Sequence, residues 1–333
     1  MAFKETHREE RHLNELVSVL CPTYNHVEYI DACVLSVRKQ TYTSWELIVV
    51  DDGSNDGTPE IARSHAGQDK RIKVLRSATN HGLKKLDEVY NAGFTVSSGN
   101  LVAVLEGDDY WPPDKLEYQV SNHGGALMSY GDCIAHSPKT SLLLPRPPFL
   151  GPIDATRFLR YVVLHESHCI PVTQMFLREA LLKIGGFRQD GSPGAVDFAT
   201  LLAISRLSGS ILYLNHALGF WRQHATQTTR RLGVELAEYN LSRAILTAEQ
   251  MRSADTSGWD VDEHAVRHAR QRSLDDVYWG AYLQAIRVNN QKEVASAISG
   301  IMHHCRTTRR AMALAAFAAV LFGVPVARVL EHR

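Results

Sequence analysis

The sequence predicts an α/β fold: a mostly parallel, Rossmann-like sheet flanked by helices, followed by an all-helical C-terminal region. Two observations support this prediction. Between residues 16 and 105, short apolar runs alternate with segments whose apolar residues recur at helical spacing, a pattern typical of βαβ units. After residue 232 the apolar residues keep helical spacing, and Ala, Leu, Glu and Arg are frequent.

The composition is that of an ordinary globular protein. Of 333 residues, 44% are hydrophobic and 22% are charged, and the 36 Lys and Arg residues balance the 36 Asp and Glu residues. Because the net charge is zero, bulk charge gives no reason to expect a nucleic-acid partner. The five cysteines are scattered without a CxxC pair, which favours a reducing compartment and argues against a zinc knuckle.

Four short apolar runs predict the parallel part of the sheet. These strands are expected at Leu16–Leu20, Glu46–Val50, Arg71–Arg76 and Leu101–Leu105. Apolar residues at helical spacing predict the helices that connect them. These helices are expected at Tyr29–Gln40, from Pro59 to about His65, and at Leu83–Phe94.

Polar segments follow three of the predicted strands. They are the Pro22–Asn25 loop, the Asp51–Thr58 loop and the Asp108-Asp109 turn. In an α/β sheet, ligands bind beyond the carboxyl ends of the strands, which is where all three segments fall. Their convergence predicts a ligand site at that edge of the sheet.

The stretch Leu101–Trp111 carries the most specific chemistry. A buried strand ends there at Glu106-Gly107, and Asp108 and Asp109 follow side by side. Two adjacent carboxylates at the end of a buried strand are costly unless a cation shares them, and oxygen-only ligands suit Mg²⁺ or Mn²⁺. Because Asp and Gly are also common turn residues, the stretch taken alone fits a solvated turn equally well.

Four segments taken together resemble a known family. They read V-S-V-L-C-P-T-Y-N, W-E-L-I-V-V-D-D-G-S-N-D-G-T, N-H-G followed by N-A-G, and E-G-D-D-Y-W. In order and spacing they resemble the family 2 glycosyltransferases of the GT-A fold, over roughly residues 16–230. The resemblance implies a nucleoside-diphosphate sugar donor, Mn²⁺ or Mg²⁺ as cofactor, and transfer to a hydroxyl acceptor with inversion at the anomeric carbon.

The resemblance assigns the donor side of the site. It implies that Pro22, Tyr24 and Asp52 line the nucleobase pocket, with Asp52 accepting a hydrogen bond from the base. It further implies that Asp108 contacts the ribose or the metal and that Asp109 ligates the metal.

Three neighbouring side chains have a structural alternative. Asp51 fits a structural role, since Asp-Gly-Ser loops often cap the helix that follows. Lys84 and Lys85 stand where such enzymes often place a cation near the nucleotide. Either lysine also fits a solvated helix surface.

The acceptor side supplies the candidate base. The family carries a Glu-Asp pair whose Asp is the usual catalytic base, and the matching stretch here, Gly194-Ala195-Val196-Asp197-Phe198, keeps only the Asp. The resemblance therefore implies Asp197 as the base, with Asp190 as the alternative. Because Asp197 opens an apolar helical run, we expect it to cap that helix and to have a lowered pKa, which keeps the carboxylate ionised.

A second segment of the acceptor half resembles the family's Tyr-Arg-x-His-x-x-Asn motif. It reads Trp221-Arg222-Gln223-His224 here, with Gln227 in the place of the Asn. The resemblance implies that His224 approaches the metal or the diphosphate. Arg222 fits a phosphate partner because its guanidinium is a planar fork. A His at the end of a strand also fits a purely structural role.

The predicted organisation has four parts. They are a charged leader at 1–15 that is not a signal peptide, a donor-binding half at 16–120, an acceptor-binding half at 121–231 and a helical region at 232–333.

Two further segments bear on the acceptor. The proline-rich stretch Ser141–Ile153 is expected to be a loop that covers the acceptor site. Residues 311–327 carry no charge and have basic flanks. Three roles stay open for them: a core or dimer helix, a peripheral membrane anchor, or a spanning helix.

Other functions stay open at this point. A catalytically degenerate binding or scaffold module is favoured by the missing Glu before Asp197. A nucleotidyltransferase on a related fold would need a Gly-rich phosphate loop, which Cys21–Asn25 lacks. The acceptor is a saccharide, a lipid-linked saccharide or a small natural product, and a homo-oligomer is compatible with the sequence. We expect the protein in the cytoplasm or at the inner face of the membrane.

Overall fold

The computed structural model describes residues 15–165, 169–190, 194–224, 227, 232–254, 259–287 and 291–305. Residues 1–14 of the predicted leader and the uncharged stretch 311–327 lie outside the described residues. The expectations for both therefore stay predictions.

The chain divides into two compact units. The first comprises Met1–Tyr161 and Ser167–Gln227, and the second comprises Val162–Glu166 and Thr228–Arg333. The donor half expected from the sequence falls in the first unit, and so does the expected acceptor half except for residues 162–166 and those after residue 227.

The first unit contains nine strands and seven helices within the described residues. The strands are β1 (Val17–Thr23), β2 (Trp45–Asp51), β3 (Ile72–Arg76), β4 (Leu101–Val104), β5 (Met128–His136), β6 (Ser141–Leu143), β7 (Gly151–Asp154), β8 (Met175–Leu177) and β9 (Ser210–Arg222). The helices are α1 (Ile30–Arg38), α2 (Thr58–Gln68), α3 (Leu86–Val96), α4 (Lys115–Asn122), α5 (Ala155–Leu164), α6 (Arg178–Lys183) and α7 (Val196–Ile204).

All nine strands belong to one sheet, in the order β3-β2-β1-β4-β8-β5-β9-β7, with β6 paired to β5. Strands β3, β2, β1 and β4 are parallel, as are β5 and β9. Strand β8 runs antiparallel to both β4 and β5 and so joins the two parallel groups. The predicted α/β fold with helices flanking a large sheet is confirmed, and the sheet is mixed.

Strands β1 and β2 form the centre of the first unit. Every residue of both strands is buried, which explains their continuous Val, Leu and Ile content, since a strand covered on both faces needs no polar alternation. Strand β1 runs beyond the predicted Leu16–Leu20, because its register with β2 continues through Pro22↔Val50 to Thr23↔Asp51. Pro22 is therefore a strand residue, and the predicted loop begins only at Tyr24.

Two segments of the acceptor half differ from their predictions. The expected loop Ser141–Ile153 contains β6 and most of β7, because short antiparallel pairings to β5 and β9 satisfy its backbone. The apolar run Ile211–Leu214 predicts a short strand, but β9 spans 13 residues, to Arg222. It keeps pairing with β5 through register shifts beside Asp132, and this extension brings Arg222 to the edge of the sheet where the polar loops lie.

The second unit is helical in its described residues, with α8 (Gly233–Ser253), α9 (Glu263–Arg287) and α10 (Gln291–His304). The Arg270 guanidinium is buried and donates to the carbonyl oxygens of Val163 and Val162 at 2.9 and 2.6 Å. Among the described residues, no helix combines the length and apolar character that a membrane span requires.

A buried carboxylate ties the amino ends of the parallel strands together. Glu46 of β2 accepts hydrogen bonds from the Ser18 hydroxyl, from the Ser98 backbone N–H and hydroxyl, and from the Lys73 ammonium, at 2.6 to 2.9 Å. Burial alone would raise the pKa of Glu46, but these donors outweigh it and lower the pKa to about 2.

We expect Glu46→Gln to destabilise the protein by about 2–3 kcal/mol at neutral pH, because the folded chain holds the ionised form preferentially. The pKa in the folded chain lies below the value of 4.5 for an unperturbed Glu. The contribution is therefore complete above that pH and is lost as the pH falls toward about 2. Urea unfolding of both proteins between pH 7 and pH 3 measures the difference. The exposed Glu60→Gln is the control, and a pH-independent difference would contradict the assignment.

Candidate active site

The turn after β4 is fixed against the end of β1. The Gly107 N–H donates to the Pro22 carbonyl at 3.0 Å. A Cβ at position 107 would collide with the Thr23 side chain and come within 2.9 Å of the His26 ring, so only glycine permits this approach. The turn that carries the carboxylates is thereby held at the carboxyl edge of the sheet.

The residues after the turn join it to the end of β9. Tyr110 forms an isolated antiparallel bridge with Phe220, with N–O distances of 2.9 and 3.4 Å. The two rings stack at 4.6 Å between centroids. Trp111 is buried, and its indole N–H donates to the Val172 carbonyl at 2.7 Å. These contacts explain how residues as far apart in the chain as Tyr110 and Phe220 meet at one site.

Three carboxylates of the turn form a cluster. Ligand oxygens of Glu106, Asp108 and Asp109 all lie within 4.8 Å of one another. Asp109 is 1% exposed, and its Oδ1 accepts the Arg222 backbone N–H at 2.8 Å. Among the residues that the structure describes, its Oδ2 is buried without a hydrogen-bond partner. A buried carboxylate oxygen without a donor is costly, and a divalent cation with oxygen ligands would satisfy it, so the cluster fits the expected metal.

Burial and mutual repulsion shift the pKa values of the three clustered carboxyl groups. Burial, together with the charges of Asp108 and Glu106, raises the pKa of Asp109 well above its ordinary value. Burial and the Asp108 charge raise the pKa of Glu106 to about 7. Burial would also raise the pKa of Asp108, but a hydrogen bond with His224 and the charges of His26 and His224 lower it overall. Of the three groups, Asp108 therefore holds its negative charge most firmly.

A cationic and aromatic shell surrounds Asp108. The His224 Nε2 lies 2.9 Å from Asp108 Oδ2, and the His26 Nε2 lies 3.9 Å from the same oxygen. The Arg222 Nε donates to the Asp108 carbonyl at 2.6 Å. The Arg222 guanidinium stands over the rings of Tyr29 and Tyr110, at 5.1 and 4.9 Å from their centroids. The structure thus brings Arg222 and His224 together with Asp108 and Asp109, and their roles toward a metal or a diphosphate stay predictions.

The Asp51–Thr58 loop lies at the end of β2. Asp51 accepts the Ser54 N–H and pairs with Arg76 at 3.2 Å, so its carboxylate holds the loop in shape. Asp52 is also buried, and its oxygens accept the Asn80 side-chain amide and the His81 N–H at 2.9 to 3.1 Å. Asp52 therefore joins two loops of the edge, and its contact with a nucleobase stays a prediction.

The other expected donor contacts differ in exposure. Pro22 is buried within β1, whereas Tyr24 is 42% exposed at the start of the loop. Lys84 lies exposed in a 3₁₀ turn, Leu83–Lys85, which replaces the first turn of the predicted helix. Within the described residues Lys84 forms no ion pair, whereas Lys85 pairs with Glu88 at 3.0 Å. The assigned roles of all three stay predictions.

Asp197 lies in the first turn of α7, but the expectation of a capping role was wrong. The N-cap residue is Ala195, and burial raises the pKa of Asp197 instead of lowering it. Its charge contributes to the raised pKa values of Glu106 and Tyr90, which places Asp197 close to the cluster. The Tyr90 hydroxyl donates to Glu106 at 2.6 Å.

Sequence reasoning missed part of this shell. His26, Tyr29 and Tyr90 come from loops and helices whose patterns indicate only secondary structure. Glu106 stood inside the E-G-D-D-Y-W segment, where it was assigned to the turn. The position of Glu106, two residues before Asp108, was the signal that could have added it to the predicted cluster.

Comparison with solved structures identifies the fold class. Residues 1–349 of TarS from S. aureus, solved in complex with UDP-GlcNAc, superpose with a TM-score of 0.58 at 17% identity. The superposition covers 88% of this chain and 82% of that one. The fold is therefore that of the GT-A glycosyltransferases.

Comparison of sequences identifies the family. The model for glycosyl transferase family 2 matches residues 18–185, and the chain belongs to this family. One relative is the Escherichia coli UDP-Glc:alpha-D-GlcNAc-diphosphoundecaprenol beta-1,3-glucosyltransferase WfgD, to which this chain is 42% identical over 106 residues. The aligned residues make up 32% of this chain and 40% of WfgD. An uncharacterized glycosyltransferase of Haemophilus influenzae is 29% identical over 217 residues, 62% of this chain and 79% of that protein. The chain spans about 40% of the length of the first curated relatives it matches.

In the absence of metal, we expect Asp109→Asn to melt at the same temperature as the unchanged protein or at a higher one. The reason is that the change removes a buried negative charge whose Oδ2 has no hydrogen-bond donor among the described residues. The same change should abolish the rise in melting temperature that Mn²⁺ produces in the unchanged protein. Thermal melts with Mn²⁺ and with EDTA measure both effects. Asp114→Asn, at a half-exposed carboxylate bonded to His216, is the control and should keep the metal response. A full Mn²⁺ response in Asp109→Asn would contradict a metal at this cluster.

Proposed function

We propose that this chain is a metal-dependent, inverting glycosyltransferase that moves a sugar from a nucleoside-diphosphate sugar to an acceptor hydroxyl. The observation that carries the proposal is the carboxylate cluster after β4, with its unpartnered Asp109 oxygen. The half-buried carboxylate of Asp197 acts electrostatically on the same cluster. Family membership supports the reaction class.

The proposed donor lies along the carboxyl edge of the sheet. Pro22, Tyr24 and Asp52 would contact the nucleobase, and Asp108 the ribose or the metal. Lys84 is exposed, and its ammonium would contact the nucleotide. The TarS neighbour was solved with UDP-GlcNAc, which supports a nucleotide sugar as the ligand of such a fold.

The proposed cofactor is Mn²⁺ or Mg²⁺, held by Asp109 with Asp108, and with His224 adjacent. When bound, the ion would neutralise charge on the diphosphate as it departs. The Arg222 backbone N–H fixes Asp109, and the Arg222 side chain fixes the Asp108 carbonyl. The protein therefore orients both carboxylates independently of the ligand.

Asp197 is the proposed base. Its carboxylate would take the proton of the acceptor hydroxyl at one of its oxygens while the hydroxyl oxygen attacks the anomeric carbon from the face opposite the diphosphate. Because burial raises the pKa of Asp197, its carboxylate is more basic than an exposed aspartate, which favours proton transfer from the hydroxyl. Asp190 is the alternative base.

The proposed acceptor is a saccharide, and a lipid-linked saccharide has the best support. The printed name of WfgD describes transfer to a diphosphoundecaprenol-linked sugar. Such an acceptor would place the reaction at the cytoplasmic face of a membrane.

A second candidate is a degenerate binding module. The specific observation in its favour is Val196, which occupies the position of the family's Glu before Asp197. Nucleotide binding without turnover would support it.

We expect one nucleoside diphosphate, or its sugar, to raise the melting temperature of the protein only when Mn²⁺ or Mg²⁺ is present. A ligand at a hundredfold its Kd stabilises the folded state by about 2.7 kcal/mol. A thermal-shift screen with and without metal measures this, and Asp109→Asn is the matched variant. Radiolabel transfer from the selected donor to a saccharide acceptor then tests turnover. If no nucleotide shifts the melt under any metal, the proposed donor site is wrong.

We expect Asp197→Asn to lower kcat by about 10²–10⁴-fold while the donor still binds, since general-base catalysis contributes a factor of that size. Asp190→Asn should keep its activity. Because Asp197 must be ionised to act and burial raises its pKa, activity should fall on the acidic side at a pH above the ordinary aspartate range. Steady-state kinetics across pH measure both effects. If Asp190→Asn loses activity and Asp197→Asn keeps it, Asp190 is the base.

A further inference from the structure

One surface element of the first unit carries a concentration of exposed leucines. We define the leucine hairpin as residues 137–150, which include β6 and the loop that leads to β7. Three of the nine exposed large hydrophobic side chains in the described part of the chain belong to it: Leu142, Leu143 and Leu150. Leu150 and Leu142 are the most exposed of the nine, at 68% and 65%. Leu142 and Leu143 are consecutive in β6, so both faces of the hairpin present an exposed leucine. Large apolar side chains exposed within one short element mark an interaction surface.

The hairpin is held in a defined conformation. Strand β6 pairs with β5 in the register Ile134↔Leu143, Ala135↔Leu142 and His136↔Ser141. The Arg146 guanidinium forms a fork with the buried Asp132, at 2.6 to 3.1 Å. The Phe149 ring packs against Phe158 and Tyr161, with centroids at 6.4 and 5.2 Å. Because the residues on both sides of them are fixed, the leucines stay exposed to solvent. Their exposure has a free-energy cost, which contact with an apolar partner would remove.

The charge of this region selects the kind of partner. No acidic residue occurs from Cys133 to Ile153, whereas Lys139 and Arg146 lie within the hairpin. Because Asp132 balances the charge of Arg146, Lys139 supplies the positive charge that, beside exposed leucines, complements an anionic lipid surface. Three leucines offer little area for a stable protein interface, which takes roughly 800 Å² from each partner. They suffice for interfacial anchoring, where apolar burial and lipid charge act together.

The base of the hairpin adjoins the candidate active site. The His136 carbonyl accepts the Gln223 N–H at 2.7 Å, directly after Arg222. The His136 ring meets the Tyr110 ring edge-on at 5.9 Å between centroids. A surface that holds the hairpin therefore also holds the Arg222–Tyr110 side of the site near it.

We propose that the leucine hairpin docks on an anionic lipid bilayer, with Leu142, Leu143 and Leu150 in the interface and Lys139 facing the lipid charge. The purpose of this contact rests on the proposed function, because it would present the site to an acceptor anchored in the same bilayer. The contact itself is independent of residues 311–327.

The test compares two double variants of the full chain that remove the same apolar volume. Leu142→Ser/Leu150→Ser alters the hairpin, and Leu182→Ser/Leu246→Ser alters leucines of α6 and α8 that are 60% and 43% exposed. Co-sedimentation uses vesicles of equal parts phosphatidylglycerol and phosphatidylethanolamine, with phosphatidylcholine vesicles alongside. We expect the unchanged chain to prefer the anionic vesicles. The hairpin variant should bind them at least about tenfold more weakly, and the control variant should bind as the unchanged chain does.

Charge is tested separately. Lys139→Gln should weaken binding to the anionic vesicles about fivefold and leave binding to phosphatidylcholine unchanged. Matching melting temperatures would show that the variants are folded. Equal vesicle binding by both double variants, or no binding by the unchanged chain, would overturn the proposal. A dimer that becomes monomeric only in the hairpin variant would also overturn it, because a second copy would then cover the leucines.

Enzymatic assays separate this proposal from the proposed function. For each variant, the rate with a water-soluble saccharide acceptor is the reference, because it includes any effect of the hairpin on the acceptor site. The ratio of the rate with an acceptor embedded in anionic vesicles to this reference should fall in the hairpin variant in proportion to its vesicle binding, and it should stay unchanged in the control variant. If the unchanged chain binds vesicles through the hairpin but transfers no sugar to either acceptor, the proposed function fails and the membrane contact stands.

Discussion

The site depends on one interaction: the Arg222 backbone N–H holds a carboxylate oxygen of Asp109 in the interior. Three acidic side chains converge there, and their mutual repulsion opposes the fold. The interaction offsets only part of that cost, since the second Asp109 oxygen has no donor. The proposed cation would offset the rest of that cost, and the contacts of Gly107 and Tyr110 keep the turn in place without it.

At their amino ends, the same strands carry a buried carboxylate that is surrounded by hydrogen-bond donors. Glu46 is buried like Asp109, yet four donor groups surround it and its pKa falls to about 2. Asp109 has one donor group and two acidic neighbours, and its pKa rises. The number of donors that reach each carboxylate decides between the two outcomes. Glu46, at the amino ends of the strands, thus stabilises the fold. Asp109, at the carboxyl ends, carries a negative charge with too few donors, which a bound ligand can neutralise.

The sequence predicted those features that depend on neighbours in the chain. Alternating apolar runs located β1 to β4, and the paired acids located the turn after β4. What it could not predict depends on long-range pairing. Strand β9 reaches Arg222 only because its register with β5 shifts near Asp132, and no periodicity encodes such a shift. The pKa of Asp197 depends on how deeply α7 is buried, so a capping argument gave the wrong direction.

A raised pKa at Asp197 also bears on the missing Glu of the family motif. An acidic neighbour in place of Val196 would add negative charge beside a carboxylate that burial already makes more basic. In this chain Glu106 provides negative charge nearby instead, and it is held by the Tyr90 hydroxyl. Because Glu106 comes from the turn after β4, the electrostatics of the proposed base and of the proposed metal site are coupled. A change at either site should therefore alter the titration of the other, which is the physical reason to treat the two carboxylate groups as one unit.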